Sequence, residues 1–287
     1  MDQKLLKQLR NETGASFLLC KQALESSNDQ YEAAIKYINQ HQIKEKGNDR
    51  VASKGIVVVE NNDLDAILFE INGETDFLVK NPYFINAVNQ IKDVLLNSDV
   101  INAKTALDVK INEDKTVGSL LQSTAGLTKE NIALRRFYRV RKALGQTFGT
   151  YTHNIGKIVS LVIINEKNQE LADQLAMQVV ANQAQYLSYD SIDQDTINYE
   201  KFMYEKNHGT FDQLGFDIYM ESISLLNQKF YKNPKITVSK LLETNNIHII
   251  DFYKFELGQG IDNKLNCRLD IPCDGSKITV MPVYKKK

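Results

Sequence analysis

Residues 55–72 read Gly55-Ile56-Val57-Val58-Val59-Glu60-Asn61-Asn62-Asp63-Leu64-Asp65-Ala66-Ile67-Leu68-Phe69-Glu70-Ile71-Asn72. A β-branched run at 56–59, a turn at Asn61-Asn62-Asp63 and a second apolar run at 66–72 spell a β-hairpin. A helix follows from Asn81-Pro82, which supplies an N-cap and a first-turn proline. Its apolar face is Phe84, Ile85, Val88, Ile91 and Leu95. The same order returns downstream. Gly149-Thr150-Tyr151-Thr152 leads into a turn at 154–156, a strand at 158–164 and a helix at 170–181. The run Ile67-Leu68-Phe69-Glu70-Ile71-Asn72 aligns with Val159-Ser160-Leu161-Val162-Ile163-Ile164-Asn165. Two β-hairpin-plus-helix units predict an α+β fold whose core has two related halves.

Outward from this repeat, a helical stretch and a strand at 132–140 lie between the halves. Residues 195–228 carry a helical pattern interrupted at Asn207-His208-Gly209, which predicts a projecting hairpin of two antiparallel helices. A further strand is expected at 252–257. The final residues, with Pro272, Pro282 and Lys285-Lys286-Lys287, read as an irregular tail.

Upstream, three short helices are expected. Leu5, Leu6 and Leu9 form the stripe of the first, which Thr13-Gly14 ends. The second starts near Ser16 and carries Leu19, Cys20, Ala23 and Leu24. The third has the stripe Tyr31, Ala34, Ile35 and Ile38, with Asp29 and Glu32 as a capping-box pair. Residues 42–54 read as a polar linker. The expected organisation is 1–47 for the helical domain and linker start, 48–145 and 146–265 for the two core subdomains, the hairpin falling at about 195–228, and 266–287 for a C-terminal module or tail.

The 287-residue chain has a net charge of -1, so it exerts no general pull on nucleic acid or anionic membrane. No apolar run approaches the roughly 20 residues of a membrane helix, and residues 1–6 lack an apolar signal core. A soluble, cytoplasmic protein is expected. Cys20, Cys267 and Cys273 do not cluster with His41, His153, His208 or His248. A structural zinc needs about four closely spaced ligands, so neither metal nor cofactor is expected. The chain has no phosphate-binding G-x-x-x-x-G-K-[ST], no G-x-G-x-x-G, no H-E-x-x-H and no G-x-S-x-G. Direct nucleotide binding and covalent catalysis are therefore not expected.

One cluster is both basic and aromatic: Arg135, Arg136, Phe137, Tyr138, Arg139, Arg141 and Lys142. Strand alternation would put Arg135, Phe137, Arg139 and Arg141 on one face. That face is either an RNA-contacting strand or, the favoured reading, an exposed strand balanced by nearby acids.

The segment Glu74-Thr75-Asp76-Phe77-Leu78-Val79-Lys80-Asn81 separates the first hairpin from its helix. Taken alone, Thr75 or Asp76 would cap a short helical turn and Phe77 would belong to the core. The segment resembles the T-D-F-V-[AR]-[KR]-N signature of the elongation factor Ts family. The likeness extends over about residues 3–260. Leu9-Arg10-Asn11-Glu12-Thr13-Gly14-Ala15 and Cys20-Lys21-Gln22-Ala23-Leu24 resemble its L-R-x-x-T-G-A and C-K-x-A-L blocks. Lys129-Glu130-Asn131-Ile132 resembles G-E-N-I, and Tyr151-Thr152-His153 resembles Y-x-H. Leu175-Ala176-Met177-Gln178-Val179 resembles L-A-M-H-V, with Gln178 in place of histidine. Phe255-Glu256-Leu257-Gly258-Gln259-Gly260 matches a C-terminal block.

The resemblance implies a ubiquitin-associated-like N-terminal domain and a guanine nucleotide exchange factor of translation. Its partner would be elongation factor Tu. Thr75, Asp76, Phe77, Leu78 and Val79 would form the exchange segment, Asp76 and Phe77 entering near the GTPase magnesium site. His153 would press behind the phosphate loop. Arg10, Phe17 and Leu18 would contact a helix of the GTPase. Phe17 and Leu18 are adjacent and cannot both face one small core, which favours an exposed anchor. A homodimer and a 2:2 complex with the partner both stay open.

Overall fold

The computed structural model describes residues 3–13, 15, 17–41 and 52–259. Residues 42–51 of the expected linker at 42–54, Gly14, Ser16 and the expected tail at 266–287 lie outside the described residues. The described residues divide into two units, those within 3–140 together with 257–259, and 141–256. The architecture is α+β.

The first unit opens with helices α1 (Gln3–Thr13), α2 (Phe17–Ser26) and α3 (Tyr31–His41). The expected stripes meet in one small core of Leu6, Leu9, Cys20, Ala23, Leu24, Ala34 and Ile38. The capping-box expectation for α3 does not hold. Asn28 and Asp29 both adopt positive φ, of 51° and 61°, to close α2. An N-cap needs extended backbone, so Asp29 is the end of one helix and not the start of the next. Burial pushes the Cys20 thiol pKa up.

The hairpin forms as read, with β1 (Lys54–Asn61) antiparallel to β2 (Asp65–Gly73). Asn62 shapes the turn: its Oδ1 accepts from the N–H groups of Leu64 at 3.0 Å and Asp65 at 2.8 Å. Helices α4 (Pro82–Leu96), α5 (Ala103–Ala106) and α6 (Val117–Thr128) precede β3 (Ala133–Arg141), and the sheet order is β1-β2-β3. The middle strand is buried along its whole length, as a near-continuous apolar run demands. Ile67, Phe69 and Ile71 pack with Phe84, Ala87, Val88, Ile91 and Leu95 of α4 and with Leu120 and Leu121 of α6. Ile85 was expected on that face but is exposed, and Ala87 takes the inward position. The N-terminal helices are seated on this half. Lys36 Nζ reaches Asp114 Oδ1 at 3.1 Å, and Glu12, Thr13, Ile35, Lys115 and Ser119 line a shallow cleft of about 360 Å³.

Glu70 interrupts the apolar run of β2 and is fully buried. It accepts from Arg136 Nε at 2.6 Å, from Arg135 Nη1 at 3.1 Å and from the Gly258 N–H at 2.9 Å. Arg139 donates to the carbonyls of Leu95, Leu96 and Val100 and lies 3.8 Å from Asp65. Phe137 is core. The alternation expected for this strand therefore does not yield a bare basic face, because a buried carboxylate and the end of α4 take the guanidiniums. Removing one partner of such a buried pair costs about 3–5 kcal/mol.

The second unit repeats the plan. Strands β4 (Thr147–His153) and β5 (Ile158–Ile164) are antiparallel and precede α7 (Gln169–Ala181). Next come α8 (Gln194–His208), α9 (Gln213–Ile223), the two-stranded β6 (Lys229–Phe230) and β7 (Asn233–Thr237), α10 (Val238–Asn245) and finally β8 (Ile249–Glu256), which pairs antiparallel with β5. Val162 and Ile164 pack on Leu171, Ala172, Leu175 and Val179 of α7. Gln178 is buried at the centre. Its amide donates to Gln228 Oε1 at 2.9 Å and to the Lys229 carbonyl at 3.1 Å, and its carbonyl accepts from the Tyr231 N–H at 2.8 Å.

The helical hairpin forms, with Gly209 capping α8 at φ 81°. Its second helix stops at Ile223 and not near residue 228. Ser224 turns extended, and the next N–H groups, of Leu225 and Leu226, donate back to the carbonyls of Tyr186 and Leu187 at 2.8 and 2.9 Å. Within the hairpin Glu200 is buried between two phenols, Tyr186 at 2.7 Å and Tyr219 at 2.8 Å. Strands β6 and β7 and helix α10 are additions to the sequence reading. Thr237, whose hydroxyl accepts from the Lys240 N–H at 3.2 Å, was the cap signal available for α10.

Candidate functional site

The segment after β2 turns outward because its residues alternate between anchoring and exposure. Gly73 ends the strand, and a Cβ there would meet Leu78 Cδ2 at 2.1 Å, so glycine lets Leu78 fold beneath the loop. Leu78 to Lys80 form one 3₁₀ turn. The Lys80 N–H donates to the Phe77 carbonyl at 3.0 Å and the Asn81 N–H to the Leu78 carbonyl at 2.9 Å. Asn81 then caps α4, accepting from the Tyr83 N–H at 2.9 Å. Neither Thr75 nor Asp76 caps this turn; its N-cap position is Phe77, which has no capping side chain.

Leu78 is 1% exposed and joins the core with Phe84 and Val88, and Val79 packs on the same cluster. Phe77 is 80% exposed. The core reading of Phe77 is thereby overturned: its neighbour Leu78 fills the interior position, and successive residues of the helical turn project to different sides. Asp76 is exposed beside it, with Lys54 Nζ 3.8 Å from its carboxylate. An exposed pair at that distance contributes little. Thr75 is half-buried: its hydroxyl donates to Glu130 Oε1 at 2.6 Å and its N–H to Glu130 Oε2 at 3.0 Å. Glu130 also accepts from the Glu74 N–H at 3.1 Å, and Glu74 in return accepts from the Asn131 side-chain amide at 2.6 Å. The sequence reading did not single out this pair of carboxylates as part of the site. The signal was the Lys129-Glu130-Asn131 block alone.

His153 ends β4 in the second unit and is exposed. Its Nδ1 lies 3.3 Å from the Tyr151 hydroxyl. The turn that follows holds Asn154 and Ile155 at φ 49° and 53°, and Ile155 is exposed. A β-branched residue in that region is a genuine outlier, and sequence reasoning had no signal for it.

Arg10 lies exposed in the last turn of α1, and Phe17 and Leu18 begin α2 at 53% and 63% exposure. Neither faces the three-helix core. Thr13 sets the approach, its hydroxyl donating to the Leu9 carbonyl at 2.6 Å while accepting from the Ala15 N–H at 3.3 Å. The nine residues thus fall on three separate exposed segments: the 75–79 loop and the α1–α2 turn in the first unit, and the β4–β5 turn in the second. Leu78 and Val79 are the inward-facing members.

A chain with this three-helix module, duplicated hairpin-and-helix plan and outward acidic-aromatic loop is similar in sequence to translation elongation factors. The chain belongs to the Elongation factor TS family, whose model matches residues 74–259. It is 34% identical over 280 residues to an elongation factor Ts of Acholeplasma laidlawii (strain PG-8A), covering 91% of this chain and 94% of the relative. It is 32% identical over 278 residues to that of Spiroplasma citri, at the same coverages of 91% and 94%.

Proposed function

We propose that this protein is the guanine nucleotide exchange factor for elongation factor Tu, acts in the cytoplasm, binds no nucleotide itself and makes or breaks no covalent bond. The carrying observation is Phe77, a large apolar ring held almost fully in solvent by a loop whose neighbouring residue is core. A folded protein gains nothing from such exposure by itself, and a partner that buries the ring supplies the missing stabilisation.

The magnesium ion and the phosphate-binding backbone are the strongest grips on GDP, because they offset the diphosphate charge. Phe77 wedges the elements that carry the metal's water shell, and Asp76 brings a carboxylate that competes for the same donors. Leu78 and Val79 serve as the loop's anchor and stay in the core. His153 with Ile155, and Arg10 with Phe17 and Leu18, supply further contacts that hold the partner while the wedge acts. Accelerating release about 10⁴-fold requires weakening the nucleotide's hold by about 5.5 kcal/mol. Coupling is reciprocal, so GDP weakens the hold of the partner on this protein by the same factor.

The test is release of a fluorescent GDP from elongation factor Tu, with and without the wild-type chain. Accelerated release is expected, and Phe77→Ala is expected to lose most of the acceleration. Release at the spontaneous rate with the wild-type chain would overturn the reading.

A further inference from the structure

The hydrogen-bond pattern behind the exposed loop points to a residue that controls it from a distance. Strand β2 ends at Gly73, so the next two N–H groups, of Glu74 and Thr75, have no strand partner there. Both donate to one carboxylate oxygen of Glu130, at 3.1 and 3.0 Å, and the Thr75 hydroxyl donates to the other at 2.6 Å. Glu130 itself is placed by a left-handed backbone turn at Lys129, φ 59°, which closes α6. The brace is reciprocal. Glu74 Oε1 accepts from the Asn131 N–H at 3.2 Å and from its side-chain amide at 2.6 Å. Two chain segments more than fifty residues apart thus exchange carboxylates. Bonds to a charged acceptor are the strong kind.

We propose that Glu130 is a positioning residue for nucleotide exchange, fixing the Asp76-Phe77 dipeptide without touching the partner. This deepens the exchange reading and rests on it. Thr75 is pinned by Glu130 on one side, and Leu78 is locked in the core on the other. Only Asp76 and Phe77 lie between these fixed points. Their backbone has little freedom left, so the ring is presented in one direction and less ordering entropy is lost when the partner engages it. Without the brace the loop loses its fixed point on the Thr75 side, while Leu78 still anchors the other.

The experiment is a double-mutant cycle read by fluorescent-GDP release from elongation factor Tu, using full-length chains at matched concentration. Glu130→Ala is expected to slow stimulated release about tenfold, the scale of losing charge-assisted bonds, yet to cost less than about twofold when Phe77 is already alanine. Glu130→Gln, which keeps an acceptor oxygen, is expected to recover part of the rate. If Glu130→Ala does not fold by thermal melting, Thr75→Val removes one bond of the brace with little change in shape and enters the same cycle. Equal cost in both backgrounds, or no cost in the wild-type background, would overturn the brace. A Phe77→Ala chain with the wild-type rate would instead sink the wedge, whatever Glu130 does.

Discussion

Phe77 and Leu78 are neighbours that face opposite ways, the one 80% and the other 1% exposed. This opposition separates two duties in adjacent residues. Leu78→Ala empties a core position and is expected to cost about 2–5 kcal/mol of stability. Phe77→Ala is expected to change stability by no more than about 0.5 kcal/mol. Urea unfolding of the two variants measures the contrast. Equal losses would place Phe77 in the fold and not on the surface.

Ile155 is held at φ 53° in an exposed turn next to His153. The left-handed region costs an ordinary residue about 1–2 kcal/mol, and asparagine tolerates it. Ile155→Asn is therefore expected to raise stability by about 1 kcal/mol while weakening binding of elongation factor Tu, the trade-off of a strained contact residue. Thermal melting and titration calorimetry check the two signs.

Gly149 lies in β4 where α7 crosses closely. A Cβ there would meet the Ala172 carbonyl oxygen at 2.0 Å, and that oxygen is backbone, which cannot rotate away. Gly149→Ala is expected to cost about 3 kcal/mol or more by forcing strand and helix apart. A melting temperature within a degree of wild type would show that the helix gives way freely.

Burial and then the hydrogen bond to Glu200 raise the phenol pKa values of Tyr186 and Tyr219 above the ordinary 10.0. The sign follows from which state holds the proton. Above pH 10 the unfolded phenols ionise while the folded ones do not, so stability present at lower pH is lost as pH rises. The second unit is expected to lose stability steeply above pH 10. Tyr186→Phe with Tyr219→Phe is expected to flatten that slope, as read by melting temperature against pH.

Local patterns were legible where one segment carries its own answer. The runs at 66–72 and 158–164 were readable as strands because both are almost entirely apolar and bounded by turns, and Asn81-Pro82 announced α4 before any contact was known. The stop of α9 at Ile223 was not, because it depends on Tyr186 and Leu187 accepting the next N–H groups. Arg136 gave no local hint of burial. Its partner Glu70 lies on another strand, and only their pairing makes both tolerable in a core. Ile85 was misplaced for a similar reason: helical period allows several neighbours on a face, and the sheet's position selects Ala87.

By itself, then, the chain's order of apolar runs, turns and caps determined most of the elements, though not β6, β7 and α10, and the duplicated α+β plan, and the Thr75-Asp76-Phe77 motif marked where the family's exchange segment should lie. Only the tertiary structure decided that Phe77 points to solvent while Leu78 does not, and that Glu130 stands behind them. Periodicity is a property of neighbours along the chain. Exposure and the partner of a carboxylate are set by residues distant in sequence, which meet only after the backbone has closed.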